Sequence, residues 1–190
     1  MRMFIAIEVP DATREALSAF CERLRDAGVR ARWVKPAAMH LTLRFLGDIT
    51  SEQATALCEA LRNDLANVSG PTLLIRGLGA FPSLNKAAVF WAGVETTAGN
   101  LARVQAGTES SAQAIGLAQE KKPFHAHITL ARLRGRREAS TLATAAAPYL
   151  EPGMTPVFGH EFTASNVVLF SSTLTRRGPI YRPVEEFSLL

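Results

Sequence analysis

Cysteine is nearly absent from this 190-residue chain, where Cys21 and Cys58 are the only two. Neither lies in a C-x-x-C pair or a Cys/His cluster, so the spacing of a structural zinc site is missing. Two isolated cysteines make no disulfide framework, and a reducing cytoplasm is the simplest setting for them. Lysine is scarce too: Lys35, Lys86, Lys121 and Lys122 stand among 21 basic residues, and the rest are arginines. Arginine offers a planar fork of donors that matches phosphate. A GC-rich genome would produce the same bias, and the net charge of +4 by itself reports only solubility and non-specific attraction. Long apolar runs are also lacking. No stretch approaches the roughly 18 uncharged apolar residues of a membrane span. The opening run over residues 3–9 is too short for a signal peptide, and Glu8 and Pro10 interrupt it. A G-x-x-x-x-G-K loop is missing, which argues against ATP dependence of that kind.

What is present reads as an ordinary globular chain, 47% apolar and 20% charged. Residues 3–9 predict a buried strand, and a helix follows over 11–27 with Ala16, Leu17, Phe20 and Leu24 at helical spacing and Gly28 at its end. Strands are expected over 29–34 and 40–46. Thr50 and Gln53 form a capping box for a helix to about residue 66. Strands over 72–81 and 87–95 come next, then a helix over 97–116, a strand over 125–133 and a helix over 137–147. Strands over 161–170 and 180–187 close the chain, joined by a Ser/Thr/Arg-rich loop over 171–178.

This order repeats. Each half runs strand, helix, strand with a His-x-Thr-x motif, helix, strand. His40 stands 37 residues after Met3, and His127 stands 39 residues after Ala88. In each half the next helix begins about 11 residues past the motif histidine. Two similar lobes facing each other across a pseudo-two-fold axis are therefore expected, interleaved in one catalytic domain over residues 1–190.

The motifs are His40-Leu41-Thr42-Leu43 and His127-Ile128-Thr129-Leu130. In a strand, residues i and i+2 share a face. His40 and Thr42 thus look one way and their leucines the other, and the same holds for His127 and Thr129. A two-fold axis would bring two histidines and two threonines around one point. That suits in-line displacement at phosphorus, which needs a base on the entering side and an acid on the leaving side. Histidine serves either role near neutral pH without a metal. Threonine hydroxyls can donate to the non-bridging oxygens. A single such motif is common and is more often just a strand-end histidine beside a threonine; two copies at matching places in a repeated unit are far more specific.

With these motifs the chain resembles the 2H phosphoesterase superfamily, and more narrowly its bacterial and archaeal RNA 2′,3′-cyclic phosphodiesterases, historically called 2′-5′ RNA ligases. The resemblance runs through residues 2–10, 33–36, 39–47, 77–82, 123–132 and 169–172. It implies a bilobal α+β fold, with an antiparallel sheet and flanking helices in each lobe. It implies hydrolysis of a 2′,3′-cyclic phosphate to a 2′-phosphomonoester, with 2′-5′ ligation as the same chemistry reversed. It also implies that His40 gives a proton to the leaving oxygen, that His127 activates water and that Thr42 and Thr129 hold phosphate oxygens. The expected partner is RNA with a cyclic phosphate end, tRNA fragments included. No cofactor, metal or membrane is expected, and the chain is expected to act as a cytoplasmic monomer.

Other residues admit two readings. His125, two before His127, lines the cleft or contacts phosphate, or is an exposed residue at a strand start; no nearby Asp, Glu or Cys completes a metal set. Arg44 shares the catalytic face with Thr42 by parity and is a candidate cation. Strict alternation sends Arg132 to the opposite face unless a bulge redirects it, and the resemblance marks it for substrate contact. Phe45 and Phe124 can stack on a base or belong to the core. His160 reads as structural. Arg134, Arg136 and Arg137, like Arg176 and Arg177, form either a solvated turn or a rim contact to RNA phosphates. Rival functions are a 2H reaction on small cyclic nucleotides or an ADP-ribose cyclic phosphate, and a non-catalytic RNA-binding module.

Overall fold

The computed structural model describes residues 1–175 and 178–190. Arg176 and Arg177, and the two readings they invited, lie outside the described residues.

β1 (Arg2–Glu8) opens the chain with its five middle residues all buried, as its unbroken apolar run requires. α1 (Asp11–Asp26) buries Leu17, Phe20, Cys21 and Leu24 as one stripe. It ends where Gly28 takes φ +89° and donates its amide to the Arg25 carbonyl, a left-handed turn that costs glycine no Cβ clash. β2 (Arg32–Trp33) and β3 (His40–Asp48) follow, then α2 (Ser51–Leu65), β4 (Thr72–Phe81), β5 (Val89–Ala98), α3 (Leu101–Ala114) and β6 (His127–Arg132). α4 (Arg136–Ala146), β7 (Val157–Thr163), β8 (Asn166–Thr175) and β9 (Gly178–Ser188) complete it.

The fold is α+β, and its strands join in one continuous antiparallel sheet. Their order is β7-β4-β5-β6-β3-β1-β8-β9, with β2 added on β6. The sheet has two similar halves, β3-β1-β8-β9 and β6-β5-β4-β7. One pair of residues, Leu41 and Ile128, joins them. An antiparallel sheet in each lobe was expected, and the structure has two such sheets, joined at that pair.

Each half has its own core. Ile5, Ile7, Leu41 and Leu43 pack with Leu57 and Leu61 of α2 and with Leu101 and Val104 of α3. Phe90, Ile128 and Leu130 pack with Leu17, Phe20 and Leu24 of α1 and with Leu142 of α4. The helix after each half's opening strand thus crosses over: α1 leaves β1 to cover the other half, and α3 leaves β5 to cover the first. The lobes are locked together by exchanged apolar surface as well as by the one backbone pair. A third, smaller cluster sits on the opposite face of the first half, where Phe4, Ala6, Val168 and Phe170 meet Tyr181.

Several elements differ from the expectation. The strand over 29–34 shrinks to Arg32–Trp33 because only these residues pair with β6; Val29 still donates back to Leu24 in the helix end. The helix expected from residue 97 starts at Leu101. Thr97 and Ala98 finish β5, and the Asn100 side chain caps the helix by accepting from the Arg103 amide at 3.0 Å. The single strand over 161–170 is two strands in different halves, β7 beside β4 and β8 beside β1. Most of the expected loop over 171–178 extends β8 and starts β9.

The capping box is formed. Thr50 Oγ1 accepts from the Gln53 amide at 3.2 Å, and Gln53 Oε1 accepts from the Thr50 amide at 3.1 Å. Thr50→Ala should therefore cost about 1 kcal/mol of stability, read as a lower urea midpoint with an unchanged slope.

Candidate active site

β3 and β6 run antiparallel and touch through Leu41 and Ile128, the second residue of each motif. Both apolar residues point into the cores. The residues flanking them, His40 and Thr42 on one strand and His127 and Thr129 on the other, therefore share the opposite face. The register sets His40 beside the row of Thr129 and Thr42 beside that of His127. All four are partly exposed. Neither threonine hydroxyl is taken by a protein partner among the described residues.

The two imidazoles are anchored alike. His40 Nδ1 lies 2.8 Å from the Ala38 carbonyl, and His127 Nδ1 lies 2.7 Å from the His125 carbonyl. A carbonyl only accepts, so Nδ1 carries the hydrogen in each ring and Nε2 is left for chemistry. The walls around them differ. His40 stacks on Phe4 with ring centres 4.7 Å apart and meets the edge of Tyr181 at 5.2 Å. His127 meets the edge of Phe81 at 5.1 Å and lies 6.0 Å from Trp91.

Burial in this aromatic setting pushes His40 down to about 4; the Ala38 carbonyl opposes the shift, while Arg14 and His127 add to it. His127 is also lowered, chiefly by burial, with its own carbonyl partner opposing and the charges of His125 and Arg132 adding. Both rings are thus neutral in the free protein at pH 7.

A bulge in each motif strand decides what else reaches this face. Along β1, Ala6 pairs with Thr42 but Ile5 pairs with Arg44, so Leu43 is the extra residue. Along β5, Trp91 pairs with Thr129 but Phe90 pairs with Ala131, so Leu130 is extra. In both strands the extra residue is the fourth of the motif, and beyond it the alternation reverses. The fifth residue after each histidine, Phe45 and Arg132, turns onto the histidine face. Phe45 is 59% exposed and its ring centre lies 6.0 Å from that of Phe4. Arg132 is exposed and near enough to act on His127.

Arg44 moves the other way, and its expected place beside Thr42 is corrected by the same bulge. It is 8% exposed. Its Nε lies 2.9 Å from Glu109 Oε2, a charge contact outside hydrogen-bond alignment. Nη1 donates to Glu120 at 3.2 Å and Nη2 to the Ala118 carbonyl at 2.6 Å. Arg44 thus ties β3 to α3 and the segment after it, with its charge already answered.

His125 precedes β6, exposed, with its ring 4.6 Å from Trp91 and 6.1 Å from His127. Phe124 is 36% exposed and has none of the site's ring contacts among the described residues. His160 lies on the edge strand β7. Arg134 and Arg136 line a surface hollow with Lys86 at the start of α4. Among the described residues no group of three or more His, Cys, Asp or Glu stands close enough to hold a metal ion.

Sequence reasoning missed the aromatic walls formed by Phe4, Phe81, Trp91 and Tyr181. One signal for Trp91 was present. Gly79 faces it across the ladder, and a Cβ there would fall 2.2 Å from the indole ring, so the glycine is what lets the ring lie flat.

The chain is similar to known proteins over most of its length. The family model described as LigT-like phosphoesterase matches residues 7–91 and 93–181, with one His-x-Thr-x motif in each span. An RNA 2′,3′-cyclic phosphodiesterase of Aeropyrum pernix is 36% identical over 168 residues, covering 86% of this chain and 92% of its own. Another, of Aquifex aeolicus, is 33% identical over 184 residues, covering 93% of each. A crystal structure of a Thermus thermophilus protein superposes with a TM-score of 0.78 at 30% identity, over 100% of this chain and 98% of that one. LigT of E. coli in complex with 3′-AMP gives 0.76 at 25% identity, over 99% and 97%.

Removing Arg44 would leave Glu109, whose side chain is 13% exposed, without its charge partner. Arg44→Ala should cost about 3 kcal/mol of stability, measured by denaturant unfolding, while the KM of the protein that remains folded changes little. A large rise in KM with unchanged stability would return Arg44 to the substrate.

Proposed function

This chain belongs to the LigT-like phosphoesterase family, and on that footing we propose that it hydrolyses the 2′,3′-cyclic phosphodiester at an RNA end to a 2′-phosphomonoester. The observation that carries the reading is the pair of His-Thr motifs set around the Leu41–Ile128 contact, each histidine with Nδ1 tied to the carbonyl two residues before it. The cyclic phosphate sits between the two Nε2 atoms. His127 Nε2 takes a proton from water as the water oxygen bonds to phosphorus. The bond from phosphorus to the 3′ oxygen breaks in line, and His40 Nε2–H gives its proton to that oxygen. The products are a 2′-phosphate and a 3′-hydroxyl, and proton exchange with solvent resets the two rings. With a 5′-hydroxyl in the place of water, the same two groups would run the 2′-5′ joining reaction.

Thr42 and Thr129 donate to the non-bridging oxygens, where charge builds up in the transition state. Arg132, turned inward by its bulge, adds a cation there. Phe45, turned inward by the matching bulge, offers a face on which the terminal base stacks. His125, against Trp91 on the His127 side, and the neighbouring Phe124 offer further contacts to the substrate. His40 must be protonated to act as acid, and the negative charge of the substrate raises its pKa on binding. No metal or cofactor enters this scheme. The reading takes a monomer over residues 1–190 as the working unit and the cytoplasm as its place, in keeping with two cysteines that are free and buried. Among the described residues no helix is long and apolar enough to cross a membrane.

The test is incubation of the purified protein, in excess EDTA, with a short RNA ending in a 2′,3′-cyclic phosphate. Conversion to a 2′-phosphomonoester is expected, and His40→Ala or His127→Ala should lower the rate at least about 10²-fold with the fold intact by circular dichroism. A well-folded wild-type protein that leaves the RNA end untouched would sink the proposal. The pH profile is a separate check. The active form of the free enzyme has one ring protonated and one neutral, so kcat/KM peaks midway between the two pKa values. Both values lie below the ordinary 6.5, so the peak should fall on the acid side of pH 6.5; a peak above pH 7 would contradict the pairing.

A further inference from the structure

The wall beside His40 carries more positive charge than one phosphate needs. Arg2 opens β1, and alternation sets it on the same face as Phe4, the ring that stacks on His40. Arg32 lies in β2 directly opposite Arg132 of β6. Its guanidinium reaches across to the other half of the sheet, where a Cβ on Gly178, the first residue of β9, would lie 3.3 Å from Nη2. Three residues further along β9 comes Tyr181, edge-on to His40 at 5.2 Å and to Phe4 at 4.9 Å. The Tyr181 hydroxyl is raised above its ordinary range by burial and pulled back by three cations, Arg132, Arg2 and Arg32. These arginines therefore gather around one phenol next to the acid histidine.

Their charges are not answered by carboxylates among the described residues, and unlike the chain's other unpaired arginines these three act on one phenol. Among the described residues the ion pairs use Arg14, Arg44, Arg62 and Arg76, and no carboxylate stands at ion-pair distance from Arg2, Arg32 or Arg132. Arg44, by contrast, meets two glutamates. Like charges held together without a counter-charge repel each other, and an anion bound among them relieves that repulsion.

We propose that Arg2 and Arg32, brought near Tyr181 from the two halves of the sheet, form a second phosphate subsite that holds the internal phosphodiester on the 5′ side of the terminal nucleotide. The proposal rests on the reading above, in which the cyclic phosphate lies between His40 and His127. That phosphate already uses the 2′ and 3′ oxygens of the last ribose, so the next anion along the RNA hangs from its 5′ oxygen. Phe45 holds the base, Arg132 shares the cyclic phosphate, and the chain leaves past His40 over Tyr181. The two arginines come from different halves of the sheet, so the subsite exists only where the halves meet. It makes the enzyme prefer an RNA end to a free cyclic nucleotide.

The experiment compares kcat/KM for a nucleoside 2′,3′-cyclic phosphate and for a dinucleotide with the same terminal cyclic nucleoside. Wild type should favour the dinucleotide. In an Arg2→Gln/Arg32→Gln double variant that preference should fall about tenfold, the worth of one charged contact, mainly through KM. Both residues are exposed, so the fold is not at stake. A neutral methylphosphonate at the internal linkage should reduce wild type by the same factor and the double variant by no more than the loss it already shows. If the variant slows both substrates equally, or the methylphosphonate is turned over like the natural linkage, the subsite is overturned. If wild type turns over neither substrate, the functional reading fails first and the subsite with it.

Discussion

Everything that this fold does near its histidines depends on one backbone pairing, Leu41 against Ile128. Both side chains are pulled into apolar cores, at 1% and 0% exposure, and this fixes which way their neighbours face. Because each is the second residue of its motif, burying the pair presents two histidines and two threonines together on the other side. A slip of one residue in either strand would turn a histidine into a core and a leucine into the cleft. The crossed helices protect that register. α1 and α3 each cover the half of the sheet opposite to the one they leave, so the halves cannot separate without exposing apolar surface on both sides.

The second constraint is the bulge, and its symmetry is informative. The extra residue is the fourth of the motif in both strands, Leu43 and Leu130. It lets two consecutive residues, Leu43 and Arg44 in one strand and Leu130 and Ala131 in the other, point away from the cleft, and brings the next residue inward. The same device yields unlike results because the sequences differ at those places. One half sends an arginine into an ion-pair network and a phenylalanine to the cleft; the other buries an alanine and sends an arginine to the cleft. A nearly two-fold scaffold thereby presents unlike groups at matching places, a phenylalanine from one half and an arginine from the other.

The histidines follow the same logic. Their anchoring is identical, an Nδ1 hydrogen held by a backbone carbonyl, so each presents Nε2. Their surroundings are not. His40 lies against a closed group of Phe4, Phe170 and Tyr181 and is driven to about 4; His127 stands in a more open corner beside Phe81 and Trp91 and is lowered less. An imidazolium with a low pKa is a strong proton donor once a bound anion has loaded it, which suits the role of acid proposed for His40.

Much of this was legible before any coordinates. The paired His-x-Thr-x motifs, the repeat around them and the Thr50–Gln53 capping box are properties of local pattern, since strand alternation and helix capping act over a few neighbouring residues, and the α+β class followed from the family resemblance that the motifs carry. The bulges were not legible, because an extra residue in a strand is decided by the partner strand and its side chains, and nothing in Thr42-Leu43-Arg44 announces it. For that reason alternation led Arg44 to the wrong face, and Arg132 reached the right one only by departing from it. The split of 161–170 into β7 and β8, and the aromatic walls, were hidden for a related reason: they join strands that lie far apart along the chain. The amino-acid sequence by itself determined that two His-x-Thr-x motifs recur at matching places in a repeated unit. Only the tertiary structure decided which neighbours join them, because that depends on register between distant strands, where packing across the sheet overrides the alternation within each one.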